Sequence, residues 1–321
     1  MERRLILNSV KKTSSNLEFF ERELNFPTFP TRVTVELTNH CNLYCRMCPR
    51  RFMKGPKGYM TVPLFQKIIN ELAEYAPLTL VPFFRGESLL HPEFISMIRF
   101  AKEQKLSPIQ LATNGTLLTK EIAQQLLDSE LDFISFSVDS VDSESYHQIR
   151  GENSFEKVLL HIETLLEMKQ KHGSKHPEIQ VSMVKSAWNE EKVQSFLDRW
   201  QGRVDRVRVY EEHSKNGNFG SLESPTGEIV TGDRKPCLKP FQEMVIYWNG
   251  EVALCNHDWD RKDHIGNLNE MSILSVWQDE KYRNIRQSHL DGSVALESVC
   301  LDCDHWRSGC GPDNILGELY E

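Results

Sequence analysis

Between residues 32 and 210 the chain alternates between short runs rich in β-branched residues and longer runs whose apolar residues recur at helical spacing. Residues 32–37, Arg-Val-Thr-Val-Glu-Leu, read as a strand of period two. Phe65, Ile68, Ile69 and Leu72 then mark one face of a helix. The strand signature returns over residues 78–84, 108–112, 132–138, 178–184 and 204–210. Helices are expected from near His91-Pro92-Glu93, over 119–128, along Phe155, Val158, Leu159, Ile162 and Leu166, and over 190–200. Six β/α alternations predict a parallel sheet with right-handed crossovers. An open twisted sheet and a partial barrel both satisfy that pattern. In a barrel the chemistry gathers at the C-terminal ends of the strands.

The character changes after residue 210. Residues 211–220 and 224–227 are polar and glycine-rich, which reads as a long connection. A second module follows, in which residues 241–248 and 251–254 flank Asn249-Gly250. That dipeptide predicts a hairpin with a type I′ turn. A helix is expected from about residue 272 to 288. The expected division is an N-terminal extension over 1–31, the β/α unit over 32–210, a linker over 211–236 and a second module over 237–321.

Hydrophobic residues make up 39% and charged residues 26% of the 321 positions, the profile of a globular protein with a sizeable core. The net charge of −8 argues against a chain built to bind nucleic acid or an anionic membrane surface. No apolar run is long enough to span a bilayer, and the N-terminal apolar stretch is too short for a signal peptide. The cytoplasm is the expected location. Thiols stay reduced there, so 8 cysteines in spaced groups point to metal or catalysis rather than disulfides.

Cys41, Cys45 and Cys48 lie directly after the first strand, in a C-x3-C-x2-C run. Structural zinc takes four closed ligands, usually as two C-x-x-C pairs. Three soft thiolates suit a cubane iron–sulfur cluster with one iron left open. The competing readings are three buried core cysteines, or a zinc site completed by His40. Further elements follow in order: Arg85-Gly86-Glu87-Ser88-Leu89-Leu90-His91 after the second strand, Thr113-Asn114-Gly115 after the third, Ser137-Val138-Asp139-Ser140 ending the fourth, then Tyr146-His147-Gln148-Ile149-Arg150-Gly151.

This series resembles the radical S-adenosylmethionine (radical SAM) superfamily. Ser88 departs from that family's Gly-Glu-Pro-Leu element, where proline is usual. The resemblance implies an α/β fold, a partial (β/α)6 TIM-like barrel, with the open iron chelating S-adenosylmethionine. It implies cofactor contacts from Met47, Glu87, Asn114, Ser137, Asp139, Arg150 and Met183, with Arg150 offering its planar fork to the carboxylate. Core packing is the competing role for Met183.

The later cysteines are Cys237, Cys255, Cys300, Cys303 and Cys310. With Ile265-Gly266-Asn267-Leu268, Val276-Trp277 and Tyr282-Arg283, their order resembles the SPASM/twitch extension of some radical SAM enzymes. That extension implies a small C-terminal domain of β-hairpin plus helix. Five cysteines complete one further 4Fe–4S cluster, assigned to Cys237, Cys255, Cys300 and Cys303, and leave Cys310 over. Four-cysteine zinc is the alternative. Two 4Fe–4S clusters and S-adenosylmethionine are therefore the expected cofactors.

The expected activity is reductive cleavage of S-adenosylmethionine and hydrogen abstraction from a small polar, sugar- or aminocyclitol-like substrate, leading to oxidation or epimerisation. Only 40 residues precede Cys41, too few for a leader-peptide-binding domain. A peptide epimerase or crosslinking maturase is the alternative, and a non-enzymatic zinc-binding module the second. Glu212 and His213, beside Glu211 after the sixth strand, are candidates for proton transfer, and Cys310 for returning a hydrogen atom. His257, Asp258 and Trp259 are weaker candidates for the site. Arg46, Arg50, Arg51, Lys54 and Lys57 offer a basic face to an acidic electron donor such as a flavodoxin or ferredoxin.

Overall fold

The computed structural model describes residues 28–212, 236–259, 261, 263–295, 298–301, 303, 305–308 and 318–320. His213, Cys310 and most of the expected linker lie outside the described residues. The first strands and helices are β1 (Arg32–Val35), α1 (Val62–Glu74), β2 (Thr79–Val81), α2 (Phe94–Glu103), β3 (Gln110–Thr113) and α3 (Lys120–Asp128). β4 (Phe133–Ser137), α4 (Ser143–Arg150), α5 (Phe155–His172), β5 (Glu178–Lys185), α6 (Val193–Trp200) and β6 (Arg206–Glu211) follow.

β1 pairs in parallel with β2, Val33 opposite Leu80. A bridge between Leu80 and Ile109 carries the series to β3. From there β3, β4, β5 and β6 continue in parallel. The six parallel strands thus run in chain order as a partial barrel with helices on its outer face. Alternation along the strands sets the layers. Val33 and Val35, Ile134 and Phe136, and Ile179, Val181 and Met183 all enter the apolar core that the helices cover. Phe65, Ile68, Ile69 and Leu72 of α1 are fully buried in that same core. Each such side chain contributes about 1.5–3 kcal/mol on burial.

The second module extends the barrel sheet. β7 (Glu243–Ile246) pairs in parallel with β1, and β8 (Glu251–Ala253) and β9 (His264–Asn267) add antiparallel strands outside it. β10 (Glu318–Tyr320) pairs antiparallel with β6 at the other edge. The hairpin turn differs from the expected type I′. Gly250 N–H donates to Tyr247 O at 2.9 Å, and Tyr247 N–H to Glu251 O at 2.8 Å. Gly250 has φ +86°, whereas Asn249 is not in the left-handed region. This is a three-residue loop ending in a glycine bulge, which needs positive φ at one position only.

The module also contains α7 (Lys239–Gln242), α8 (Ile273–Trp277) and α9 (Glu280–Asp291). The single helix expected over 272–288 is therefore two. The break falls at Asp279, whose carboxylate accepts from Lys281 N–H and starts a new helix. α4 was not expected as a helix. Its signals are local, with Asp142 capping Ser145 N–H and Gly151 closing the far end.

Candidate active site

The Cys41–Cys48 loop leaves β1 at the carboxyl edge of the barrel. Leu43 is buried as its apolar anchor, and Arg50 donates to Leu43 O at 2.5 Å. Cys48 N–H donates to Cys45 O at 3.2 Å, and Arg46 N–H to Ile149 O at 2.9 Å, tying the loop to α4. The Cys41 and Cys48 thiols feel each other and Cys45 electrostatically. Burial, and then the neighbouring Cys45, push the Cys48 thiol up to about 11, and burial raises Cys41 too. A coordinating metal centre takes such thiols as thiolates.

Three other loops interlock with this one. Gly86 packs so closely that an added Cβ would lie 2.2 Å from Thr38 O and 2.5 Å from His40 O. Glu87 N–H donates to His40 O at 2.8 Å. The Glu87 carboxylate is buried and accepts from Thr113 Oγ1 at 2.9 Å and Asn114 N–H at 2.8 Å. Burial raises its pKa against those hydrogen bonds. Asn114 donates to Asn42 Oδ1 at 3.0 Å, closing a ring from the cysteine loop through the Gly-Glu loop to the Thr-Asn-Gly turn.

Asp139 takes a left-handed backbone, φ +61°, at the end of β4. Its Oδ1 accepts from Val184 N–H at 2.7 Å, and its Oδ2 pairs with the buried Arg150. Arg150 also donates to Cys45 Sγ at 3.5 Å. Burial opposes that charge, but Asp139 and Cys45 more than offset it and hold the guanidinium cationic. Arg150, expected at a carboxylate of the cofactor, is thus already engaged with Asp139 and the Cys45 thiol. Ser137 and Met47 are partly exposed. Met183 is on the other face of β5: it shares parity with Ile179 and Val181 and packs in the helix-covered core. The structure therefore gives Met183 the packing role in place of the expected adenine contact.

The later cysteines converge as well. Cys255 lies within electrostatic reach of Cys300 and Cys237, and Lys239 of both Cys237 and Cys255. His257 N–H donates to Cys255 Sγ at 3.3 Å and His305 N–H to Cys303 Sγ at 3.4 Å, and the two imidazoles lie 4.1 Å apart. Among the described residues no three His, Cys, Asp or Glu side chains converge on a single-ion site. A cubane instead takes each thiolate at a separate corner. The donor sets fit such clusters, being soft thiols grouped in the fold with a cation beside each group, the buried Arg150 at Cys45 and the half-buried Lys239 at Cys237 and Cys255.

Between the two cysteine regions lies a buried polar junction, of which sequence reasoning singled out only Asp258 and Trp259, as weaker candidates. Glu36, 0% exposed at the end of β1, leaves Oε1 without a hydrogen bond. Arg85, 3% exposed after β2, sits among the rings of Phe84, Tyr247 and Trp259. Its only sequence signal is a charged residue directly before the Gly-Glu pair. Glu212, at the end of β6, is also buried, whereas neighbouring Glu211 is exposed and pairs with Lys185 at 2.5 Å.

A parallel β/α barrel with three cysteines after its first strand defines a class, and comparison names it. Residues 35–184 match the radical SAM superfamily and residues 237–304 match the SPASM iron–sulfur cluster-binding domain. The chain belongs to the radical SAM superfamily and carries a C-terminal SPASM-type cluster domain. It is 25% identical to the tungsten-containing aldehyde ferredoxin oxidoreductase cofactor-modifying protein of Pyrococcus furiosus, over 86% of this chain and 87% of that one. Its fold is similar to BtrN in complex with AdoMet and 2-DOIA, with a TM-score of 0.58, 18% identity, and coverage of 86% and 93% of the two chains. It is also similar to Streptococcus suis SuiB bound to precursor peptide SuiA, with a TM-score of 0.66, 16% identity, and coverage of 92% and 75%. The two matched domains imply 4Fe–4S clusters and S-adenosylmethionine as cofactors. Among the described residues no helix is long and apolar enough to cross a membrane.

Proposed function

We propose that this radical SAM enzyme abstracts hydrogen from a small polar substrate, sugar- or aminocyclitol-like, and oxidises or epimerises it. S-adenosylmethionine on a reduced cluster supplies a 5′-deoxyadenosyl radical for such a step. One observation carries the substrate class. The inner face of the barrel strands, alternating with the apolar core residues, is lined by hydrogen-bonding side chains. They include Thr34, Glu36, Ser135, Gln180 and Arg208, all buried. Gln180 donates to Ser135 Oγ at 2.8 Å and lies 3.5 Å from Tyr210 Oη. Barrel interiors are ordinarily filled with branched apolar residues. A polar lining instead suits a ligand rich in hydroxyl or amino groups, whose donors and acceptors it would satisfy.

In this reading Cys41, Cys45 and Cys48 hold the barrel cluster, and Cys237, Cys255, Cys300 and Cys303 the auxiliary one. Glu87, Asn114, Ser137, Asp139, Arg150 and Met47 surround the S-adenosylmethionine site. Glu212, buried at the rim, accepts the proton released when a substrate radical is oxidised, with His213 beside it in sequence. Cys310 is the candidate hydrogen donor for epimerisation. The division at residues 210 and 237 belongs to the same reading. An acidic electron donor docks on the basic loop that carries the barrel cysteines.

The test is anaerobic turnover of the reduced, reconstituted protein with panels of polyols, aminocyclitols and peptides, scoring 5′-deoxyadenosine against substrate consumed. Stoichiometric product from a polyol or aminocyclitol is the expected result. Turnover confined to peptides would overturn the substrate class, and BtrN and SuiB mark the two outcomes.

A further inference from the structure

We infer that Arg85 is a positioning residue that clasps the auxiliary-cluster loop to the S-adenosylmethionine loop, setting one cluster against the other. The inference rests on the cluster assignment above but not on the substrate class.

On the barrel side, the backbone at Arg85 has no freedom. Gly86 is jammed against Thr38 O and His40 O, and Glu87 N–H bonds His40 O. Any movement of Arg85 therefore displaces the segment leading into Cys41. On the other side, Arg85 Nη2 donates to Asp258 O at 2.5 Å and to Tyr247 Oη at 2.9 Å. Tyr247 Oη donates to the same Asp258 O at 3.0 Å. Asp258 is part of the turn that begins at Cys255, since its N–H donates to Cys255 O at 3.3 Å.

The connection continues to the next cysteine. Asp258 Oδ2 accepts from Asp263 N–H at 3.1 Å. Asp263 Oδ2 in turn accepts from Ser298 Oγ at 3.0 Å and Val299 N–H at 3.2 Å, directly before Cys300. A short series of bonds thus leads from Thr38–Cys41 to Cys255 and Cys300, with one side chain bridging the two modules.

Arginine suits this place for two reasons. Its guanidinium lies 4.7–4.8 Å from the centres of three aromatic rings, Phe84, Tyr247 and Trp259, which take a flat cation. The same plane directs one nitrogen to two acceptors at once. A lysine ammonium keeps the charge but has no plane to lie among the rings. Position, rather than charge alone, is then what the residue contributes. Electron exchange with the auxiliary cluster depends on where that cluster sits and on the charges around it.

The experiment compares Arg85→Met, Arg85→Lys and Tyr247→Phe with the parent protein, each anaerobically reconstituted. Iron content and reductive titrations followed by electron paramagnetic resonance are measured with and without S-adenosylmethionine. The expected result is an altered auxiliary-cluster signal in both Arg85 variants, with its potential moved to more negative values in Arg85→Met. The barrel cluster keeps its signal and its response to S-adenosylmethionine. Tyr247→Phe shifts the auxiliary signal too, and the double variant with Arg85→Met shifts it by less than the sum. Loss of only the auxiliary irons in both Arg85 variants supports the clasp equally. A parental signal in Arg85→Lys would reduce the residue to a charge and overturn the inference. So would an unchanged signal in Arg85→Met, or loss of both clusters together.

Discussion

At the scale of single residues, the cysteine loop brings together thiols that resist ionisation. Cys45 is buried with Cys41 and Cys48 half-buried beside it, and Cys48 is held near 11 and Cys41 above its ordinary value. A cluster must take these groups as thiolates, so loading releases protons. Iron retention at the barrel site should therefore strengthen as pH rises from 6 towards 9 and weaken on acidification, measured as iron bound per chain after anaerobic dialysis. Loading independent of pH would contradict the thiol assignment. Replacing Cys41, Cys45 and Cys48 together by alanine should lower iron from about eight to about four per chain and abolish 5′-deoxyadenosine formation. An unchanged iron content would move the barrel cluster elsewhere.

At the scale of elements, the loops after β1, β2 and β3 behave as one unit because their backbones are in contact. Gly86 is the tightest point. A methyl group there meets two carbonyl oxygens at 2.2 and 2.5 Å, neither on a flexible side chain. Gly86→Ala should cost about 1–3 kcal/mol or more in stability and push the cysteine loop outward. Faster loss of the barrel cluster, seen as bleaching of its visible absorbance in air, is the readout. A variant as oxygen-resistant as the parent would show that the loops move independently. α4 belongs to the same unit. Its N-cap at Asp142 and its close at Gly151 place Arg150 beside Cys45.

At the scale of the whole molecule, the face around the cysteine loop differs from the rest of an acidic chain. Arg46, Arg51, Lys54 and Lys57 are exposed there, with Tyr44 at 67% and Phe52 at 48% exposure. Exposed rings ringed by cations, on a protein of net charge −8, suit an acidic redox partner. Lys54→Glu with Lys57→Glu should slow reduction by a flavodoxin about tenfold at low salt, with the difference shrinking as salt screens it. Equal rates at every ionic strength would remove this face as the docking site. The second module is part of the barrel's construction, because β7 continues the sheet on β1 and Arg85 reaches across to Asp258.

Much of this was readable from the chain because it is local. Strand and helix periodicities and the cysteine spacings act over a few residues; the Asp142 cap is as local, yet α4 was not read from it. The periodicities and spacings determined six parallel strands in chain order and the two cysteine groups, while an open sheet and a partial barrel both satisfied that pattern. Three features required the folded chain. The inner or outer parity of β5, which turns Met183 into the core, is defined only once helices cover one face. The pairing of β7 with β1 joins residues more than 200 apart, and no local propensity encodes it. The Arg85 junction requires β2, the hairpin and the Cys255 turn to meet. Its cation is tolerated there because rings and carbonyls from distant segments replace the water it loses.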